Sequence, residues 1–113
     1  MKGVRYPAIF EHIPSMSCGD GWFDLIDTLC ASLQDVTKHG GPQVVTSDLK
    51  EKYGALSFYH QGVNDEQDGM IELAEALSKR ICEVCGNRGE RRSKGWITTR
   101  CAAHVEPERI APV

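Results

Sequence analysis

This chain of 113 residues is short of several things, and each shortage removes a class of function. No apolar run approaches the roughly 20 residues that a membrane helix needs. Met1 to Phe10 holds no apolar block of the secretory kind, so export is not expected. No glycine-rich phosphate loop is present. Gly40-Gly41-Pro42 lacks the Lys-Ser/Thr sequel and reads as the end of a helix. Histidines are few and scattered: His12, His39 and His60 do not form the paired set that an HNH-type nuclease uses. No histidine but His12 stands near Cys18 in sequence, which argues against a thiol nucleophile.

What is present concentrates near the C-terminus. Cys82 and Cys85 form a C-x2-C pair, and after fifteen residues Cys101 and His104 form a C-x2-H pair. Three thiols and one imidazole match the Cys3His set of tetrahedral structural zinc sites. The two-residue gap lets both thiolates reach one ion from a tight turn, and Gly86 supplies the positive φ such a turn requires. Four protein ligands leave no position for an activated water, so the expected Zn2+ is structural. In a second arrangement, Cys18 or another histidine replaces His104. Trp96 is expected to pack over the knuckle. Cys30 falls on an apolar helix face and reads as a buried small hydrophobe. Thiolate ligands argue for the reducing cytoplasm and against a Cys18–Cys30 disulfide.

Charge is split along the chain. Residues 1–78 carry 5 Lys and Arg against 12 Asp and Glu, residues 79–100 carry 7 against 2, and the last thirteen carry 1 against 2. An acidic body thus bears a basic finger. Arg88, Arg91, Arg92 and Lys94 in that finger could meet phosphates, or could only offset the bound thiolates. On the body, Asp24, Asp27, Asp35, Asp65, Glu66, Asp68, Glu72 and Glu75 could compete with nucleic acid for a basic groove.

The expected architecture is α+β in a single domain, 1–113: two helices packed on a short, mostly antiparallel sheet, with a C-terminal zinc knuckle. Residues 1–19 read as an irregular arm anchored by Val4, Tyr6, Ile9, Phe10 and Ile13. The α+β body runs over 20–81, the finger over 82–104 and a flexible tail over 105–113. Asp20 is placed to cap a helix over 20–38, where Trp22, Leu25, Ile26, Leu29, Leu33 and Val36 recur at helical spacing. Gln43 to Thr46 reads as extended, and Asp48 with Glu51 as a capping box opening one helical turn that stops at Gly54. Ala55–His60 alternates as a strand, with Leu56 and Phe58 on one side. A second helix over 65–81 is capped by Asn64 and Gln67, with Met70, Leu73, Ala74, Leu77 and Ile81 as its apolar face. Asn87 to Gly95 reads as a polar loop, and Trp96–Arg100 as a strand delivering Cys101. The core is expected from Leu25, Ile26, Leu29, Leu33, Leu56, Phe58, Leu73 and Leu77.

Three segments in order carry a resemblance. Gly21-Trp22 opens the first helix, Lys50-Glu51-Lys52-Tyr53-Gly54-Ala55-Leu56 follows, and Cys82-Glu83-Val84-Cys85-Gly86 leads to Gly95-Trp96-Ile97-Thr98-Thr99-Arg100-Cys101 and His104. Over residues 20–104 the chain resembles a group of small phage and prophage proteins. The resemblance implies the four metal ligands and a mobile-element setting, and it transfers no activity. In that setting the expectation is a non-enzymatic accessory protein that binds and inhibits a host macromolecular complex, an anti-CRISPR or other anti-defence protein being the sharpest form. A nucleic-acid-binding regulator using the basic finger is the alternative. A small metal-dependent nuclease built on Asp48-Leu49-Lys50, with Asp35 as the further acid, is the third.

Overall fold

The structure, a computed structural model, describes residues 6–12, 19–92 and 97–104. Val4, Ile13, Cys18, Lys94, Trp96 and the tail 105–113 lie outside the described residues. The architecture is α+β, with two helices and small antiparallel sheets. A 3-10 turn, Asp20–Trp22, leads into helix α1, Phe23–Lys38. Strands β1, Val45–Lys52, and β2, Ala55–Gln61, form one antiparallel hairpin. Helix α2, Asp65–Ser78, follows, and then a smaller antiparallel pair, β3, Glu90–Arg92, and β4, Thr98–Arg100. A 3-10 turn, Ala102–His104, closes the described chain.

One apolar cluster holds the body together. Ile26, Leu29, Cys30 and Leu33 of α1 meet Leu49 of β1, Leu56 and Phe58 of β2, and Ile71 and Ala74 of α2, with Ile9 and Phe10 of the N-terminal segment closing one side. Leu49 and Phe58 stand directly opposite each other in the hairpin register, so both strands turn the same face inward.

The turn expected at Asp48–Gly54 is strand. Leu49 is worth more in the core than a short helical turn is in solvent, and it pulls the whole segment into pairing with β2. Glu51 still caps, but what it caps is the hairpin: its Oε2 accepts from Gly54 N at 2.6 Å. Tyr53 and Gly54 both have positive φ, 53° and 79°, as a two-residue hairpin loop requires. At Ser47 the register slips by one residue, and the buried Thr46 hydroxyl fills that bulge, 2.9 Å from Asp48 O and 2.6 Å from Tyr59 O.

Helix α1 starts later than its acidic residues suggest. Asp20 lies inside the 3-10 turn, and Trp22 occupies the N-cap position with no side-chain cap. Helix α2 keeps the expected capping box, Asn64 with Gln67, but its buried face is different. Gln67, Ile71, Ala74 and Ser78 point inward, while Leu73 is 62% and Leu77 41% exposed. Polar residues take the core face because backbone groups there need partners. Gln67 Nε2 donates to Pro42 O at 2.9 Å. Along the outer edge of β2, Leu56 N donates to Ser78 Oγ at 2.8 Å, and Phe58 N to Glu75 Oε2 at 2.9 Å. The basic loop after Asn87 is also partly strand, with β3 paired to β4 and Arg88 bridged to Ile81.

Candidate metal centre

Three pieces of backbone bring four ligands together. Cys82 follows α2 by a short turn, and its carbonyl accepts from Gly86 N at 2.9 Å, which closes the loop that carries Cys85. Gly86 has φ 83°, where a Cβ would be strained. Strand β4 delivers Cys101, and the 3-10 turn after it folds back to place His104, with His104 N donating to Cys101 O at 3.0 Å.

The donor atoms of Cys82, Cys85, Cys101 and His104 all lie within 4.8 Å of one another. Cys85 Sγ is 3.6 Å from Cys101 Sγ, and His104 Nδ1 is 3.2 Å from Cys101 Sγ and 3.8 Å from Cys82 Sγ. A tetrahedral ion with metal–sulfur bonds near 2.3 Å and metal–nitrogen bonds near 2.0 Å sets donors about 3.5–3.8 Å apart. The cluster is close to that spacing and could hold a metal ion, with His104 as the imidazole donor among the described residues.

The thiols are electrostatically unequal. Burial alone would push the Cys82 thiol up, but hydrogen bonds from the backbone at Cys101, Cys85 and Val84 outweigh it and bring it down to about 6. For Cys85 the backbone at Asn87 pulls down, yet desolvation and the neighbouring Cys101 and Cys82 prevail and leave it above the ordinary thiol value. Ionising one thiol opposes ionising the next. A bound dication removes that opposition, which is what a metal contributes to such a donor set.

A bracing layer surrounds the ligands, and most of it is not obvious from the motif. Glu83 and Arg100 form an ion pair at 3.3 Å with little exposure on either side. Glu83 N also donates to Thr99 O at 3.0 Å, so the loop between the first two cysteines is tied to the strand that carries the third. The sequence signal was there: opposite charges at Glu83, inside C-x2-C, and at Arg100, directly before Cys101. From the other side the Gly19-Asp20-Gly21-Trp22 segment docks on the knuckle. Gly21 N donates to Glu83 O at 3.0 Å, and Trp22 Nε1 donates to Ile81 O at 2.9 Å. A Cβ on Gly21 would stand 2.1 Å from Cys82 O, so only glycine permits that approach. The tip of the β1–β2 hairpin docks as well, with Arg91 Nε on Tyr53 O at 3.0 Å and the buried Thr99 hydroxyl on Gly54 O.

The other described candidate residues lie on the finger ribbon, the two helices and the first hairpin. Arg88 and Arg91 are exposed, but Arg91 is tied to the hairpin tip, and Arg92 is half-buried with Nε 3.4 Å from Arg100 O. Asp24, Asp35, Asp65, Glu66 and Glu72 are exposed on the two helices, whereas Asp27, Asp68 and Glu75 are half-buried. Glu75 caps the β2 edge, and Asp35 leans toward His39 at the end of α1, 3.7 Å between Oδ1 and Nδ1. Asp48 pairs with Lys50 at 3.3 Å on the hairpin's outer face, not with Asp35. Among the described residues no helix is long and apolar enough to cross a membrane. No protein-family model matches the chain, and neither a curated protein nor a solved structure does.

Proposed function

We propose that this chain is a zinc-stabilised, non-enzymatic binding protein of the cytoplasm. In this reading its acidic helices dock a host macromolecular complex and inhibit it, in the manner of small phage accessory proteins such as anti-CRISPRs. One observation carries the reading: the cluster brings together four protein donors, enough to fill a tetrahedral shell, and the described Glu83–Arg100 pair and hydrogen bonds beside it brace the fold. The metal supports a surface rather than a reaction. The ion pair that occupies Asp48 and Lys50 weighs against the nuclease reading. The contacts that hold Arg91 and Arg92 weigh against a finger free to track phosphates. The two helices expose Asp24, Asp65, Glu66 and Glu72 among their charges, which suits a basic groove on a partner and implies salt-sensitive association.

Elemental analysis of protein purified without added metal should give one zinc per chain, and cobalt substitution should give the absorption of a tetrahedral thiolate-rich site. Tagged, zinc-loaded protein should retain a protein complex from bacterial lysate after nuclease treatment. Reversing Asp24, Asp65 and Glu72 to lysine should release it, and expression of the chain should relieve host immunity against a targeted phage. Capture that disappears with nuclease would hand the function to nucleic-acid binding, and divalent-dependent cleavage lost in Asp48→Ala would hand it to the nuclease.

A further inference from the structure

Helix α2 buries one face in the core and leaves a second apolar stripe in water. At 3.6 residues per turn, Glu66, Gly69, Leu73, Ala76 and Leu77 fall within about 60° of Leu73, on the side away from Ile71 and Ala74, and Arg80 follows in the turn after the helix, its N donating to Leu77 O at 2.9 Å. All six are exposed, Leu73 at 62%. Glu66, Gly69, Leu73 and Ala76 alternate steps of three and four, which is the seam of a helix pair.

Gly69 sits in this seam with no packing reason among the described residues. Glycine is the poorest helix former after proline. A Cβ here would meet no atom within 4 Å, and the backbone is ordinary helix. What glycine does leave on a helix surface is a notch for another side chain.

The stripe is complementary to itself. Glu66 stands seven residues before Leu73 and Arg80 seven after; Gly69 stands four before and Leu77 four after. Two copies of α2 laid antiparallel about Leu73 therefore set Leu73 against Leu73 once, on the axis, and twice set Leu77 into the notch at Gly69 and Glu66 toward the Arg80 that follows the other helix. A parallel arrangement would instead set the acidic first turn, Asp65, Glu66 and Asp68, against itself.

We propose that this face binds a second copy of the chain in a two-fold antiparallel α2–α2 contact. Such an isologous contact closes at two chains and does not propagate. The helix has 14 residues and is about 21 Å long, so one pair buries less than the roughly 1,200 Å² of a standard stable interface. The dimer consequently forms in the micromolar-to-millimolar range and exchanges. This goes beyond the binding function above, leaving Asp24 and Glu72 available to a partner while occupying Glu66.

Sedimentation equilibrium of the zinc-loaded full chain tests it, with circular dichroism confirming the fold of each variant. The wild type should pass from monomer to dimer mass across that range. Leu73→Glu sets two carboxylates against each other on the axis and should give monomer throughout. Glu66→Arg or Arg80→Glu alone should weaken association roughly tenfold. Mixing these two single variants should recover it as a heterodimer, because each Arg then faces a Glu. Gly69→Ala should raise the melting temperature of the monomer while weakening the dimer. A wild type that stays monomeric to millimolar concentration overturns the proposal and leaves the stripe to a foreign helix. So does a dimer that survives Leu73→Glu, or one that the mixed charge variants fail to restore.

Discussion

The two hairpins of this chain are both antiparallel two-stranded ribbons, yet different forces hold them. β1–β2 spends its inward face on Leu49, Leu56 and Phe58, sealed by α1 and α2. β3–β4 has three residues per strand, and of those six side chains only Thr99 is buried. A ribbon that short, with no apolar face, is not stable in water by itself. Hydrogen bonds to the body hold it on one side, and on the other stands a donor set able to hold a metal ion. The body has a core that removes apolar surface from water, whereas the ribbon has donors that a metal ion could cross-link. Stability in the first should follow packing, and in the second should follow metal supply.

Metal removal should separate the two most strongly. Structural zinc contributes about 10 kcal/mol or more to the folding of small finger domains. A chelator should abolish hydrogen-exchange protection over residues 82–92 and 97–104 while α1, the first hairpin and α2 keep theirs. If both regions melt together, the division drawn above is wrong. Gly21→Ala attacks the seam between them, because its Cβ would collide with backbone at Cys82, Glu83 and Gly86. It should cost about 3 kcal/mol and loosen metal binding, read from denaturant midpoints and a zinc competition titration. Thr99→Val strands the buried Gly54 carbonyl and should cost about 1–3 kcal/mol. Asn64→Ala removes a cap that belongs to the body alone. It should cost about 1 kcal/mol with metal affinity unchanged.

The smallest effect is one of pH. Burial, and secondarily Asp27, push the Cys30 thiol up from 9.0 to about 12. The folded state therefore prefers the protonated thiol. That preference is fully present below pH 9.0 and is lost as pH rises toward about 12. At about pH 9.5 the loss is under roughly 1 kcal/mol, visible as a midpoint drop in the wild type that Cys30→Ala does not share. Native Cys30 should also resist thiol reagents until the body unfolds.

The parts legible in the sequence were those set by local rules. The α1 periodicity, its stop at Gly40, the Asn64–Gln67 cap, the alternation of Leu56 and Phe58, and the four metal donors each rest on spacing within a short window. The misreadings came where a distant partner decided. Leu73 and Leu77 fit an apolar helical face, but the core accepted Gln67 and Ser78, because Pro42 O and Leu56 N across the interface needed polar partners. Asp48 and Glu51 have the spacing of a helix start, but Leu49 had a place opposite Phe58. Asp20 has the chemistry of a cap, but the glycines flanking it had to reach the knuckle. The Lys50–Leu56 segment gives no hint from spacing alone that its Tyr53-Gly54 tip is one of the body's points of attachment to the ribbon.

The side chains of Ser78 and Glu75 along the outer edge of β2 have one more effect. They answer the amide hydrogens of Leu56 and Phe58 as a third strand would, so on that side the sheet ends at a helix rather than at open hydrogen-bonding groups. Another extended chain arriving there finds those donors already satisfied. A protein made this way can be produced in large amounts in a crowded cell without that edge seeding fibrils, and replacing Ser78 and Glu75 by alanine would reopen the terminus at which such growth begins.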